Sequence, residues 1–139
     1  MAETRTRTAE EMPPQSAFSR LLGIEVDRCV PEEVVCRMRV TEEMGNRNGV
    51  LHGGALMALA DTAAGSSAFI NSPVEVSNTT VEAKTNFIRP VSVGDVVTAR
   101  CVPVHVGRKT VVLLVTLTRT DGKIVGTTSQ THLFLGWED

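Results

Sequence analysis

Asp61 is the residue whose setting in the chain first asks for a chemical explanation. It is the only charged residue between Gly53 and Ile70. Around it Leu56, Met57, Leu59, Ala60, Ala63, Ala64 and Phe69 wrap nearly all round a helix instead of forming one stripe, which predicts a buried helix. An ionised carboxylate held away from water needs partners, and such groups persist chiefly in structural ion pairs or as catalytic acids and bases. Just ahead of the helix stands His52-Gly53-Gly54. Paired glycines permit a sharp turn and clear the way for a ligand to reach backbone amides. Amides at a helix start carry partial positive charge and can stabilise a carbonyl oxygen that turns negative under attack. A carboxylate and an oxyanion site together describe acyl chemistry. The plainer readings are a tight loop for Gly53-Gly54 and an ion pair with an arginine across a subunit boundary for Asp61.

Spacing adds a constraint. Seven residues separate Gly54 from Asp61, a rise of about 10.5 Å along a helix, so one chain cannot bring both to one carbonyl carbon. If both act there, Asp61 comes from a second subunit related by a two-fold axis, and the protein is at least a dimer with shared sites. His52 reads first as a residue that hydrogen-bonds backbone and fixes the turn, and second as a general acid. His105 and His132 fall on strand patterns with no metal-ligand spacing and receive no function here.

The elements that must position these residues follow from periodicity. Phe18, Leu21 and Leu22 sit at helical spacing before Gly23, predicting a short helix over Ser16 to Gly23. Val34 to Val40 alternates as a strand, Glu42 to Asn48 reads as loop, and Gly53 to Ile70 is the long helix. After a loop at Asn71 to Pro73, four β-rich stretches follow: Val74 to Arg89, Val96 to Val106, Thr110 to Thr118 and Lys123 to Phe134. The links Gly107-Arg108-Lys109 and Asp121-Gly122 have hairpin chemistry, so the last three strands should form an antiparallel meander. One strand, a buried helix, then four strands make an α+β domain. Met1 to Gln15, broken by Pro13-Pro14, reads as a loose tail ahead of a domain over residues 16–139.

A chain of 139 residues has room for one domain. With 42% hydrophobic and 22% charged residues and no apolar run of membrane-spanning length, it reads as a globular protein away from the membrane. Met1 to Glu11 lacks the apolar core of a secretory signal, which predicts a cytoplasmic location. Cys29, Cys36 and Cys101 form no Cys-x-x-Cys pair and read as free core thiols; no metal or resident cofactor is expected. A net charge of −2 gives no general attraction to nucleic acid.

Asn46, followed six residues later by His52-Gly53-Gly54 and then by Asp61-Thr62, resembles the hotdog-fold acyl-CoA thioesterases of the phenylacetate-degradation type, relatives of the 4-hydroxybenzoyl-CoA thioesterases. Asn86-Phe87-Ile88-Arg89-Pro90 with Gly94-Asp95 is similar to the family's following strand and turn, and the likeness runs from about Ser16 to the C-terminus. The resemblance implies a long helix wrapped by a curved antiparallel sheet, homodimers whose sheets join edge to edge, and homotetramers of these. It implies hydrolysis of an aryl- or medium-chain acyl-CoA. Asp61 would serve as general base or nucleophile, the Gly54 amide would polarise the carbonyl, Asn46 would orient water or substrate, and the Thr80 hydroxyl would assist the water. His52, Gly53 and Thr62 would line the substrate, with Arg89, Pro90, Arg108 and Lys109 near the coenzyme A phosphates. Coenzyme A enters as part of the substrate. The alternatives are a hotdog hydratase or dehydratase using His52 and Asp61, and a non-catalytic acyl-CoA-binding protein.

Overall fold

The structure, a computed structural model, describes residues 7–136. Its elements are α1 (Ala17–Leu21), β1 (Glu25–Val30), β2 (Glu33–Arg39), α2 (Gly53–Ile70), β3 (Ser77–Phe87), β4 (Val96–Val106), β5 (Thr110–Thr118) and β6 (Ile124–Leu135). The six strands form one antiparallel sheet in the order β1-β2-β4-β5-β6-β3, and α2 packs against all six. This is the expected α+β arrangement of a long helix held by an antiparallel sheet. The meander β4-β5-β6 is as expected, and β3 reaches it by returning to the far edge beside β6.

Period-two burial writes the sheet's inner face. Val34, Cys36, Met38 and Val40 are at most 1% exposed, and Val111, Leu113, Val115 and Leu117 on β5 are fully buried. Against them α2 lays Leu59 and the small Ala60, Ala63, Ala64 and Ala68, all fully buried, so the helix backbone comes close to the sheet. Gly126 permits the closest approach at the β6 start, since a Cβ there would lie 3.0 Å from the Leu56 side chain and 3.1 Å from the Asn86 carbonyl.

Two expectations change. A strand precedes β2: β1 was not expected because Glu25, Val26, Asp27 and Arg28 are all exposed and show no apolar alternation. It is an edge strand with a bulge between Val26 and Arg28. Arg37 on β2 holds it across the ladder, pairing Glu25 at 2.7 Å and Asp27 at 2.6 Å. The long helix is also not enclosed on every side. Gly54, Met57 and Asp61, at i, i+3 and i+7, are exposed along one face of α2, so the burial foreseen for Asp61 is not supplied by the described residues of its own chain.

Of the segment expected as a tail, residues 1–6 lie outside the described residues. The Arg7 guanidinium stacks 4.2 Å from the centre of the Phe69 ring and donates to the Ser72 hydroxyl and to the Val74 and Val76 carbonyls. At α1, Ser16 caps the helix by accepting from the Ser19 amide. Gly23, at φ 67°, then turns the chain toward β1.

The cysteines are free. Burial pushes the Cys36 thiol from an ordinary 9.0 up to about 12 and the Cys101 thiol up to about 11. Above pH 9 the unfolded chain sheds thiol protons that the folded chain keeps, so their contribution to stability is complete below pH 9 and is lost as pH rises toward 11–12. Urea midpoints measured from pH 8 upward should therefore fall beyond pH 9, and fall less in a Cys36→Ala/Cys101→Ala chain. Iodoacetamide at pH 8 should label Cys29, which is only partly buried, before the other two.

Candidate active site

The start of α2 is built by its own loop. The Asn46 side-chain oxygen accepts from the amides of Asn48 at 2.8 Å and Val50 at 3.3 Å, closing a turn that Gly49 completes at φ 74°. The Leu51 amide donates to the Val91 carbonyl and the His52 amide to the Met44 carbonyl, which ties the loop to the core. His52 is the helix N-cap: its Nδ1 accepts from the Gly54 amide at 2.8 Å. The turn-fixing reading of His52 is thus what this geometry displays. The Gly54 amide, expected to stand free, is occupied by the imidazole. A Cβ at Gly53 would lie 2.9 Å from the Phe87 ring, so a side chain there would push that ring aside.

A His52→Ala chain should lose about 0.5–2 kcal/mol of stability, the ordinary worth of an N-cap, read from the urea midpoint. It should keep its turnover if His52 serves only as the cap, read from thiol release on the same samples.

About two turns along α2, Asp61 Oδ1 accepts from the Thr80 hydroxyl at 3.3 Å and from Gln130 Nε2 at 3.1 Å. No ion pair of the described residues involves Asp61, so within the chain its partners are neutral donors. Thr80 sits at a bulge where the β3–β6 register shifts between Thr80 and Glu82, the kind of irregularity that re-aims a side chain. Beneath Asp61, the Gln130 side-chain oxygen lies 2.8 Å from His132 Nε2, and His132 Nδ1 lies 3.2 Å from the Asn78 side-chain oxygen. Burial holds the His132 imidazole below its ordinary pKa, with the Asp61 charge pulling the other way.

Asn78, Gln130 and His132 were not foreseen, and His132 had been set aside. β6 carries polar residues on both faces, with Thr127, Ser129 and Thr131 between Thr128, Gln130 and His132, so alternation alone could not tell which set turns inward. The available signal was three polar residues at i, i+2 and i+4 in a strand that belongs to a core.

The other expected residues divide. Asn46, Gly53, Arg89 and Pro90 line one cavity of about 400 Å³ at the helix start. Asp61 and Thr62 line another, of about 800 Å³, bounded by Met12, Val26 and Phe69. Thr62 spends its hydroxyl on the Ala58 carbonyl at 2.9 Å and on the Ser19 hydroxyl at 3.2 Å, so it braces α1 against α2. Arg89 donates to the Ile124 carbonyl at 2.7 Å, and the Pro90 carbonyl accepts from Arg119. Arg108 and Lys109 are exposed at the β4–β5 turn. The register puts that turn, with Ser77 and Leu135, at the opposite end of the sheet from Phe87, Gly126 and Arg89. One chain therefore does not bring Arg89 and Arg108 to a common phosphate cluster, although the resemblance had put both near the coenzyme A phosphates.

A long helix held by a six-stranded antiparallel sheet, with a carboxylate on its open face and glycines at its start, is the hotdog fold in a form suited to acyl-group chemistry. The profile of the thioesterase superfamily matches residues 48–125, more than half of the chain. The acyl-coenzyme A thioesterase PaaI of Escherichia coli K12 is 30% identical over 110 residues, 79% of this chain and 76% of that protein. A putative esterase, ComA2, of Bacillus subtilis 168 is 38% identical over 96 residues, 66% of this chain and 72% of that protein. Among solved structures, a thioesterase from Haemophilus influenzae superposes with a TM-score of 0.86 at 25% identity, covering 98% of this chain and 96% of that one. The chain belongs to the thioesterase superfamily, with PaaI-type proteins among its relatives. It is a thioester hydrolase.

Proposed function

We propose that the protein hydrolyses an aryl- or medium-chain acyl-CoA to the free acid and coenzyme A, with Asp61 as general base. The observation that carries this reading is the carboxylate of Asp61, pinned through Oδ1 by Thr80 and Gln130 while no hydrogen bond among the described residues reaches Oδ2. Oδ2 takes a proton from water as the water oxygen bonds to the thioester carbon. The C–S bond then breaks, and the thiolate leaves with that proton. The Thr80 hydroxyl stands beside this oxygen pair to hold the attacking water. The acyl group fits the cavity beside Asp61, whose apolar lining includes Met12, Val26 and Phe69. Tyrosine is absent from the chain, so an aryl ring there would meet mainly aliphatic groups and phenylalanine. A relative named acyl-coenzyme A thioesterase PaaI supports an acyl-CoA substrate, and the origin of the E. coli PaaI structure in a phenylacetic acid degradation operon supports including aryl members in the test.

The working unit is a homodimer in this reading, and pairs of dimers give a tetramer. Gly54 and Asp61 stand about 10.5 Å apart along one helix and line different cavities, so a complete site takes Asp61 from one subunit and the helix start of the other. Two features support a partner on this side. The stripe Gly54, Met57, Asp61 is exposed, and β3 is an 11-residue edge strand with Val81 and Phe87 more than half exposed. Arg89 of one subunit and the Arg108-Lys109 turn of the other would then serve the coenzyme A phosphates as separate contacts.

Thiol release from phenylacetyl-CoA, hydroxybenzoyl-CoA and straight-chain acyl-CoAs tests the reading. Rapid cleavage of at least one is expected, and the preferred member names the acyl class. If none is cleaved, while hydration of an unsaturated acyl-CoA or tight binding without turnover is seen, the reading is wrong.

A further inference from the structure

The inner face of β6 is chemically out of place. Thr128, Gln130 and His132 point into the core at 1%, 2% and 1% exposure, while the inward positions of the neighbouring β5 are Val111, Leu113, Val115 and Leu117. Burying an amide and an imidazole is costly unless each finds partners. Thr128 finds an ordinary one in the Thr85 hydroxyl at 2.8 Å. Gln130 and His132 instead join a chain that runs from Asn78 through His132 and Gln130 and ends on the exposed carboxylate of Asp61.

From Asp61 to His132 the donors have one consistent order. A carboxylate only accepts, so Gln130 must turn its NH₂ to Asp61 and its carbonyl to His132. His132 must then carry a proton on Nε2 to donate at 2.8 Å, which leaves Nδ1 of the neutral ring an acceptor that Asn78 can meet only by turning its NH₂ toward it. The same N–H lies 3.4 Å from the Thr80 hydroxyl oxygen, whose own proton goes to Asp61. Thr80 and Gln130 thus both favour one rotamer of Asp61, the one with Oδ1 held and Oδ2 turned away.

We propose that Gln130 and His132 are positioning residues for the Asp61 carboxylate: Gln130 holds Oδ1 through its amide N–H, and His132 locks the Gln130 amide in the orientation that can do so. The inference rests on Asp61 as the base of the reaction above. Around the imidazole, α2 contributes the Asp61 charge, while β3 contributes only the neutral Asn78 and Thr80 and β5 the apolar Val111 across the ladder.

Turnover, KM and the pH dependence of kcat test it in Gln130→Leu, Gln130→Glu, His132→Leu and His132→Gln, each beside Asp61→Asn, with urea midpoints recorded throughout. Gln130→Leu should lower kcat by about tenfold to a hundredfold with little change in KM, since a small misplacement of a catalytic group has that scale of effect. The nearly isosteric Gln130→Glu should fold and move the acidic limb of the kcat profile to higher pH, because a second carboxylate opposes ionisation of Asp61. His132→Leu should also lower kcat, and His132→Gln, which keeps an N–H donor, should recover much of it. If Gln130→Glu leaves the pH profile in place and kcat follows only the loss of folded protein, the two residues merely fill the core and the inference fails. If Asp61→Asn itself keeps full turnover, the general-base reading falls, and this one with it.

Discussion

Asp61→Asn should lower kcat by about 10²–10⁴-fold, the usual scale for a general base, while KM and the urea midpoint stay near those of the parent chain. The physical case rests on what asparagine keeps. Its carbonyl oxygen can still accept from the Thr80 hydroxyl and from Gln130 Nε2, the two bonds that hold Oδ1. The packing of α2 is untouched because position 61 lies on the exposed face. What disappears is the second oxygen's ability to take a proton. Thiol release under saturating acyl-CoA, with circular dichroism and sedimentation on the same sample, separates chemistry from structure. A protein that sediments as smaller species while retaining its rate per folded site would show instead that Asp61 is an ion-pair member at a subunit boundary.

The second large effect concerns where the site lies. In a heterodimer of one Asp61→Asn chain and one Gly54→Val chain, purified through two different tags, sites shared between subunits leave one site fully native and put both lesions in the other. The heterodimer should then show about half the parent activity, although each homodimer is nearly inactive. If each chain carried its own complete site, both sites of the heterodimer would be damaged and activity would stay near zero. Gly54→Val is a suitable lesion because even a Cβ at that position would lie 3.0 Å from His52 Nδ1. The added bulk therefore falls where, in the proposed reaction, a carbonyl approaches the helix start.

The match to the superfamily begins at Asn48, inside the loop that leads to the helix, and that segment carries the residues on which both experiments depend. Its design is local at one end and distant at the other. The Asn46 turn, the His52 cap and Gly53 against Phe87 assemble the helix start largely from neighbours in sequence. The support of Asp61 instead comes from β3 and β6, 19 and 69 residues further along the chain. The bulge after Thr80 and the inward face of β6 belong to the site as much as the helix does.

By itself the sequence determined the elements and the main chemical groups. The 18-residue helix Gly53–Ile70, the strands Val96–Val106 and Thr110–Thr118, the single carboxylate on the helix and the glycine pair before it were all legible, because periodicity and composition are local properties of a chain. Tertiary structure decided what depends on pairing. β1 was hidden because an edge strand need not bury either face, and its Arg37 ion pairs exist only once β2 lies alongside. Arg89 and Arg108 look alike as strand-end cations, yet antiparallel register sends them to opposite ends of the sheet. Gln130 and His132 became partners of Asp61 only when the order β5-β6-β3 fixed which face of β6 turns toward the helix. A one-residue slip of a strand exchanges its two faces, so on a strand polar on both sides the folded sheet alone selects the residues that reach the carboxylate.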